Sequence, residues 1–506
     1  MAVFGWQPAH RITNRLSHKI VNRKAINSIS NSISNSINHD SINHNKATRA
    51  INRTVALGIA LLTFGCSTQP FSGQMLALAE EEGSVCTLNE SVTNSSGRYS
   101  TNVDLTASIA LPGETGVDVV MTSQGAIAAT NTETGALLHW VDPATGEIVQ
   151  TVELPNPISD IAFDGRDVLA VATANTLLRL SAADGETLSR INLRGAKRVA
   201  ISSDGHLAAI AGKRILAYDD NNQEMFSTQR DYREVTDVEI LSCDDKQMVY
   251  FTSYRNATFT DINDRTNPVQ IARIEALDFT GEVQWDLFGD DTETIKQNVA
   301  DTRLYRVVMA PDGYLYIAGE SAGTATIFRW RGQPMTEDEQ FGRISPFLSR
   351  IDESSSLHNS GAAHLAYYAR VHPTEGRLVT AQMSFPRNVD TKANAMRIGD
   401  IDVSANGTLY FGGAASRNIP NREELTLNGV SVGEYGGRDR AWMSVAPDFQ
   451  ARNFWTVLAE EGGKGIVKGV GVGYGYSAAL SNVESGTVPV TAGEQEGSVF
   501  LSFTAE

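Results

Sequence analysis

Five histidines follow residue 79: His139, His206, His358, His364 and His372. His358 and His364 flank the small-residue run Asn359-Ser360-Gly361-Ala362-Ala363, and His372 follows shortly after. Imidazole suits Zn, Cu or Fe, so His358, His364 and His372 are candidate metal ligands, with surface or strand histidines as the alternative. The run from His364 to His372 is strand-like, and their even spacing puts both on one sheet face. Oxygen donors alternate or pair in Asp261-Ile262-Asn263-Asp264 and in Gly289-Asp290-Asp291. Ca²⁺ takes six to eight oxygens. That makes Asp261, Asp264, Asp290 and Asp291 candidate ligands and Ca²⁺ the candidate ion, although neither run has a full calcium-loop spacing. Asp301, Arg303, Arg306 and Glu320 bracket one hairpin. They form an ionic cluster, a binding surface, or salt bridges that hold a long loop. His358, His364, Asp301, Arg303 and Glu320 are together the candidate catalytic groups.

Other chemistry is missing from the sequence. It has no phosphate loop, dinucleotide fingerprint or His-Glu-x-x-His, and no Gly-x-Ser-x-Gly turn. The whole chain has 42 Lys+Arg against 59 Asp+Glu. Residues 1–79 hold eight basic side chains and one acid, Asp40, which leaves 34 basic and 58 acidic residues in 80–506. So acidic a region does not suit nucleic acid, whose phosphates need clustered Lys/Arg. A cationic partner or Ca²⁺ fits better.

The elements that would position these residues come from repeats. Val119–Gly125, Ile161–Gly165 and Val199–Gly205 each read as an apolar strand followed by a tight polar turn ending in Gly. Forty residues on lies Asp244-Asp245-Lys246, between two further apolar runs. Later copies are Val307–Gly313 and Ile401–Gly407, with a looser one at Tyr368–Gly376. Asp-Gly and Asn-Gly suit two-residue hairpin turns, which need positive φ. A second turn type recurs between copies, at Pro143–Glu147 and Ala182–Glu186. Two hairpins per 40–45 residues make a four-stranded blade, the sign of a β-propeller. Seven turn copies predict one all-β, seven-bladed propeller over 80–506, with six to eight blades allowed. The stretch 466–506 either closes the ring or adds an eighth blade. Surplus length lies in loops near 252–303, 331–362 and 414–440, and long loops on a rigid scaffold commonly carry function. Helical patterns are ambiguous near 291–300 and 335–350.

The region upstream reads as a leader. Ile26–Asn45 is low-complexity Asn/Ser/Ile, so 1–50 is expected to be a disordered extension. Val55–Phe64 is apolar and too short to span a bilayer, which makes 51–79 a signal segment. Two endings are open: a cut after Ala77-Leu78-Ala79, or lipidation of Cys66 after Leu62-Thr63-Phe64-Gly65. Either route predicts an extracytoplasmic protein: secreted, periplasmic or lipid-anchored to the envelope. In an oxidising compartment Cys86 and Cys243 could form a disulfide tying the N-terminal segment to the fourth blade; a buried, unpaired Cys243 is the alternative.

Residues 400–480 resemble the SBBP β-propeller repeat family of secreted and surface bacterial proteins. The resemblance is carried by Gly399–Gly413, Ser416–Pro420, Tyr435–Met443 and Asn453–Leu458, with Arg440 interrupting the family's Gly-Gly-x-Asp-Ala run. It implies a propeller in an extracytoplasmic setting and no particular activity. The expected function is a binding or scaffold module, monomeric and without a transmembrane span. It would meet a protein or glycan partner at the cell surface through its long-loop face. The alternative is an extracellular propeller enzyme, a hydrolase or lyase on a glycan or ester and metal-dependent if the histidines ligate.

Overall fold

The computed structural model describes Cys86–Leu88 and residues 100–506, apart from 244–245, 261–265, 289–299, 323–363, 387–393, 450, 460–462, 487, 489 and 492–496. All of the described residues belong to the unit Ala77–Glu506. No described helix is long and apolar enough to cross a membrane. The expectations for 1–79, Cys66 among them, and for the ambiguous stretches at 291–299 and 335–350 lie outside the described residues.

The strands form seven four-stranded antiparallel sheets and one small three-stranded sheet. Blade 1 is Thr115–Thr122, Gly125–Asn131, Ala136–Val141 and Ile148–Leu154. Blade 2 is Ile158–Phe163, Val168–Thr173, Thr176–Ser181 and Thr187–Asn192. Blade 3 is Ala196–Ile201, Leu207–Ala211, Arg214–Tyr218 and Glu224–Gln229. Blade 4 is Glu234–Cys243, Lys246–Thr260, Thr266–Asp278 and Val283–Leu287. Blade 5 is Thr302–Met309, Leu315–Ala322, His364–Val371 and Leu378–Ser384. Blade 6 is Met396–Val403, Leu409–Ala415, Asp439–Val445 and Arg452–Val457. Blade 7 takes Lys464–Gly473, Tyr476–Ser485 and Val499–Ala505 from the C-terminus, and its outer strand is Leu105–Leu111 from the start of the domain. The stretch after 464 therefore closes the ring and adds no eighth blade. Each blade's first strand neighbours the next blade's first strand, and Lys464–Gly473 returns to Thr115–Thr122. The chain is a seven-bladed β-propeller.

Burial follows radius. Second strands such as Gly125–Asn131 and Leu409–Ala415 are buried on both faces because they lie between blades, and small or β-branched residues fit there. Outer strands such as Ile148–Leu154 alternate half-buried and exposed residues. The core is accordingly a set of inter-blade clusters. One joins Trp140 and Leu138 of blade 1 to Ile161 and Val171 of blade 2; another joins Leu480 and Leu501 of blade 7 to Met121 of blade 1. Each fully buried large aliphatic contributes about 1.5–3 kcal/mol, so the blades stabilise one another across their faces.

The turns depart from the expected form in two ways. At Ser202–His206, Ala310–Tyr314 and Ser404–Thr408 the first residue's N–H donates to the fifth residue's carbonyl, and Gly205, Gly313 and Gly407 sit fourth with positive φ. These are three-residue loops, not two-residue ones. Two-residue loops do occur, at Ser123-Gln124 and at Tyr474-Gly475. Gly376 marks the turn between the third and fourth strands of blade 5, so the seventh inner hairpin is the one at Tyr474-Gly475.

This topology gives the ring two unlike faces. All turns between first and second strands, and between third and fourth strands, leave from one end and are short. Connections between second and third strands, and between blades, leave from the other end. There they are two to four residues long in blades 1–3; from blade 4 onward they run from five residues (261–265) to 41 (323–363), apart from the three residues 112–114 that lead from blade 7 back to blade 1. The blade 4 hairpin, with strands of 15 and 13 residues, projects from this long-loop face. Residues 416–438 of blade 6 include a 3-10 turn, Arg422–Glu424, and the strands Thr426–Leu427 and Val430–Ser431; these two pair with each other, and Thr426–Leu427 also pairs with Asn102–Val103.

Candidate functional site

A ring of charge surrounds the propeller axis. Every first strand has a register shift near its start, and the residue just after the shift is Asp118, Asp160, Arg198, Asp237, Arg306, Asp400 or Gly469. The bulge turns these side chains toward the axis and toward the next blade. Asp160 binds Arg198 at 2.7 Å and accepts from the Val199 backbone N–H at 2.9 Å. Arg198 also lies 3.5 Å from Asp237. Asp237 accepts from Val307 N–H at 3.0 Å. Arg306 binds Asp400 at 2.8 Å, and Asp400 accepts from Val470 N–H at 3.0 Å. A second layer repeats the device: Glu239 accepts from Met309 N–H at 3.2 Å, and Asp402 from Val472 N–H at 2.7 Å. An inner strand has no partner strand on its axial side, so its N–H groups need other acceptors. Carboxylates of the preceding blade supply them.

The electrostatics follow from crowding. Burial pushes Asp237 up to about 6, Glu239 up to about 8 and Asp402 up to about 7. Burial, then Asp400 and Asp160, push Asp118 well above the carboxylate range. For Arg198, burial opposes the charge, but Asp160, Asp237, Asp118 and Asp400 outweigh it and hold the guanidinium charged. Lys468, the bulge residue ahead of Gly469, is lowered by burial and by Arg306 and Arg198. At Gly469 an added Cβ would meet Asp118 Oδ1 at 2.7 Å and Val119 N at 2.9 Å, so the seventh position is left free for blade 1 to approach. The ring clasps blades together. Sequence reasoning read Arg306 as part of the Glu320 cluster and missed the ring. A signal was present: Asp118, Arg198, Arg306 and Asp400 each stand seven residues ahead of a turn glycine, Gly125, Gly205, Gly313 and Gly407.

On the long-loop face, four of the candidate catalytic residues do meet. Glu320 Oε1 accepts from Arg303 and from Tyr305 Oη at 2.7 Å, and lies 3.0 Å from His364 Nδ1. Arg303 also donates to Gln270 and lies 3.6 Å from Asp301, which accepts from Gln270 N–H at 2.8 Å. The Arg303 guanidinium stands over the Tyr254 ring at 5.8 Å. Burial works against the Glu320 charge, but His364, Tyr305 and Arg303 pull its carboxyl below the usual range. Glu320 is thus a paired anion and holds no proton to give as an acid. Gln270 and Asp301 line a cleft of about 480 Å³ with Asn256, Ala257, Thr258, Pro268 and Val269.

The metal candidates separate. His364 opens its strand on the long-loop face, while His372 follows the other end, beside Glu375 and the Tyr314 ring. Eight residues of extended chain put them ~26 Å apart, too far to share an ion whatever their sheet face. His358, Asp261, Asp264, Asp290 and Asp291 lie outside the described residues. Among the described residues no three His, Cys, Asp or Glu side chains are placed to hold a metal. Cys86 and Cys243 are joined in a disulfide with Cα atoms 5.8 Å apart. It anchors the entering chain beside the short turn of blade 4. Trp140, Trp442 and Trp455 are buried, and Trp285 donates to the Pro373 carbonyl at 2.7 Å; Trp330 lies outside the described residues.

Blade 6 holds its excursion with a buried pair. Arg422 donates to Asp439, to the Gly433 carbonyl at 3.0 Å and to the Glu434 carbonyl at 3.1 Å. Burial raises Asp439 to about 6 against the pull of Arg422.

No family model and no curated protein matches the chain. Solved structures resemble it at low identity. BamB of Moraxella catarrhalis is 13% identical, covering 79% of this chain and 99% of its own, with a TM-score of 0.38. Kuenenia stuttgartiensis hydrazine synthase is 12% identical over 75% of this chain and 98% of its own, with a TM-score of 0.44. The WD40 domain of Toxoplasma gondii coronin is 9% identical over 79% of this chain and 88% of its own, with a TM-score of 0.41.

Proposed function

We propose that this propeller is an extracytoplasmic binding or scaffold module of the SBBP type, acting as a monomer. Its long-loop face over blades 4–7 recognises a protein partner. One observation carries the reading: connections lengthen at one end of the ring only, and only from blade 4 onward. Short turns suffice to build a blade, so the added chain serves something other than the fold. The Cys86–Cys243 disulfide and the leader-like sequence before residue 80 support an oxidising, extracytoplasmic setting. The test places a photo-crosslinking residue at Glu423 or Glu434 on the long-loop face, or at Thr374 on the short-turn face of blade 5, in the native host. Glu423 and Glu434 should each capture one discrete protein that Thr374 does not. Equal capture from Thr374, or capture of glycan alone, would overturn it.

A second reading is an enzyme acting on a glycan or ester, favoured by the meeting of Asp301, Arg303, Glu320 and His364 beside the cleft. The depressed Glu320 carboxyl suits it as an anchor better than as an acid. Hydrolysis or elimination of a glycan or ester panel that vanishes in Glu320→Gln, with the fold intact, would establish this reading instead.

A further inference from the structure

We infer that the rims of blades 1–4, at the short-turn end, form a second docking surface for a basic polypeptide segment that carries aliphatic side chains. Among the described residues the large exposed hydrophobics are Val149, Leu188, Met225, Val283, Val430 and Tyr474. Val149, Leu188 and Met225 occupy one structural place, the bulge residue of the outer strand in blades 1–3, and Val283 stands one residue earlier in the outer strand of blade 4. Each is the first or second residue of the outer strand in four successive blades, where the chain leaves a short turn. Single exposed aliphatics are ordinary; three at the same place in adjacent blades, followed by Val283 at the same end of the fourth, make a continuing feature. An exposed glutamate precedes each one: Glu147, Glu186, Glu224 and Glu282. Neighbouring short turns add exposed Asp167, Asp184, Asp204 and Asp220, against one exposed base, Arg166.

The pattern is not a requirement of the blade. In blade 5 the glutamate's place holds Arg377 and the aliphatic's place a half-buried Val379; in blade 6 the two places hold buried Ala451 and exposed Asn453. Blades 1–4 therefore keep an acid beside an exposed aliphatic, and blades 5 and 6 do not. Acidic turns repel the anionic surface of a bilayer, so a lipid surface is the wrong occupant. Lys or Arg side chains would meet the glutamates, and interleaved aliphatics would cover Val149, Leu188, Met225 and Val283. This surface lies opposite the long-loop face, and its test is independent of the function proposed above.

The test uses the purified full chain and a fluorescent peptide of alternating Lys and Leu as the probe. The comparators are a Lys–Ser peptide and vesicles of phosphatidylcholine with phosphatidylglycerol. One variant combines Val149→Ser, Leu188→Ser, Met225→Ser and Val283→Ser. A second combines Glu147→Lys, Glu186→Lys, Glu224→Lys and Glu282→Lys. A control combines Glu423→Lys, Glu424→Lys and Glu434→Lys on the opposite face. Each of the first two should weaken Lys–Leu binding about tenfold, with the control within about twofold of the native protein. The Lys–Ser peptide should bind about tenfold more weakly than Lys–Leu. If the serine variant binds as well as the native protein, or the control weakens as much as the other two, the surface is not specific and the proposal fails. Binding to vesicles in preference to the peptide overturns it too. Leu188→Ser alone, expected to cost about threefold, keeps the test decisive should a fourfold variant misfold.

Discussion

Arg306 of blade 5 and Asp400 of blade 6 meet 2.8 Å apart beside the propeller axis, and the same carboxylate accepts the Val470 N–H of blade 7. One aspartate thus fastens three successive blades. Both side chains are largely removed from water, so the cost of breaking the pair lies mainly in the partner left behind.

Asp400→Ala should therefore destabilise the protein by about 3–5 kcal/mol, since it strands a buried guanidinium and a backbone donor. Arg306→Met should cost less, because the methionine stem fills the space and Asp400 keeps its N–H donor. Combined with Arg306→Met, Asp400→Asn should cost less than the two single changes added together. Urea unfolding midpoints with a double-mutant cycle measure this. Additive losses would mean that the pair is not coupled.

The second axial layer gives a pH dependence. Glu239 and Asp402 have folded values of about 8 and about 7, above their unfolded values. Between the unfolded and folded values the native state holds more protons than the unfolded chain, so stability falls as pH rises from about 4.5 to about 8. Both residues are half-buried, so water screens the effect to on the order of 1 kcal/mol. Glu239→Gln should raise the melting temperature at pH 8 and leave it nearly unchanged at pH 4.5. A native protein whose stability climbs steadily from pH 5 to pH 8 would contradict this account.

Blade architecture was legible in the sequence because the turn chemistry is local. Gly205, Gly313 and Gly407 mark positive φ wherever they stand, and apolar runs flank them. Gly376 misled for the same reason: the turn between outer strands also needs a left-handed residue, and a single turn does not say which pair of strands it joins. The axial ring was hidden because its members differ in type. An aspartate, an arginine and a glycine do one job at equivalent positions, and only closure of the ring shows that Asp118 faces Gly469 and that Arg198 serves both Asp160 and Asp237. Glu320, Arg303 and Asp301 were found as a group because one hairpin brings them together. His372 was attached to His364 by sheet-face parity, which says nothing about distance along a strand.

The blade 6 excursion hangs on the buried Arg422–Asp439 pair. Arg422→Ala should release the segment 416–438, since two backbone carbonyls and a buried carboxylate lose their donor together. Limited proteolysis should then cut within 416–438 many times faster than in the native chain, while the other blades still melt cooperatively. Unchanged cutting would show that the small sheet with Asn102–Val103 holds the excursion unaided.

The disulfide cross-links the entering chain to blade 4. Cys86 and Cys243 are 157 residues apart in sequence, and a cross-link over so long a loop restricts the unfolded chain strongly. Beside Cys86, the Thr87 carbonyl lies where a Cβ on Gly313 would come within 2.4 Å, so the anchored segment presses on the first turn of blade 5 as well. Its loss should loosen blades 4 and 5 before blades 1–3, whose clusters it does not touch. Cys86→Ser with Cys243→Ser should cost about 2–4 kcal/mol. Hydrogen exchange should rise first in Glu234–Cys243 and Thr302–Met309, and reduction of the native protein with dithiothreitol should reproduce both effects. If the native protein is indifferent to dithiothreitol and exchange changes evenly around the ring, the anchor carries no local load and the segment is held by packing alone.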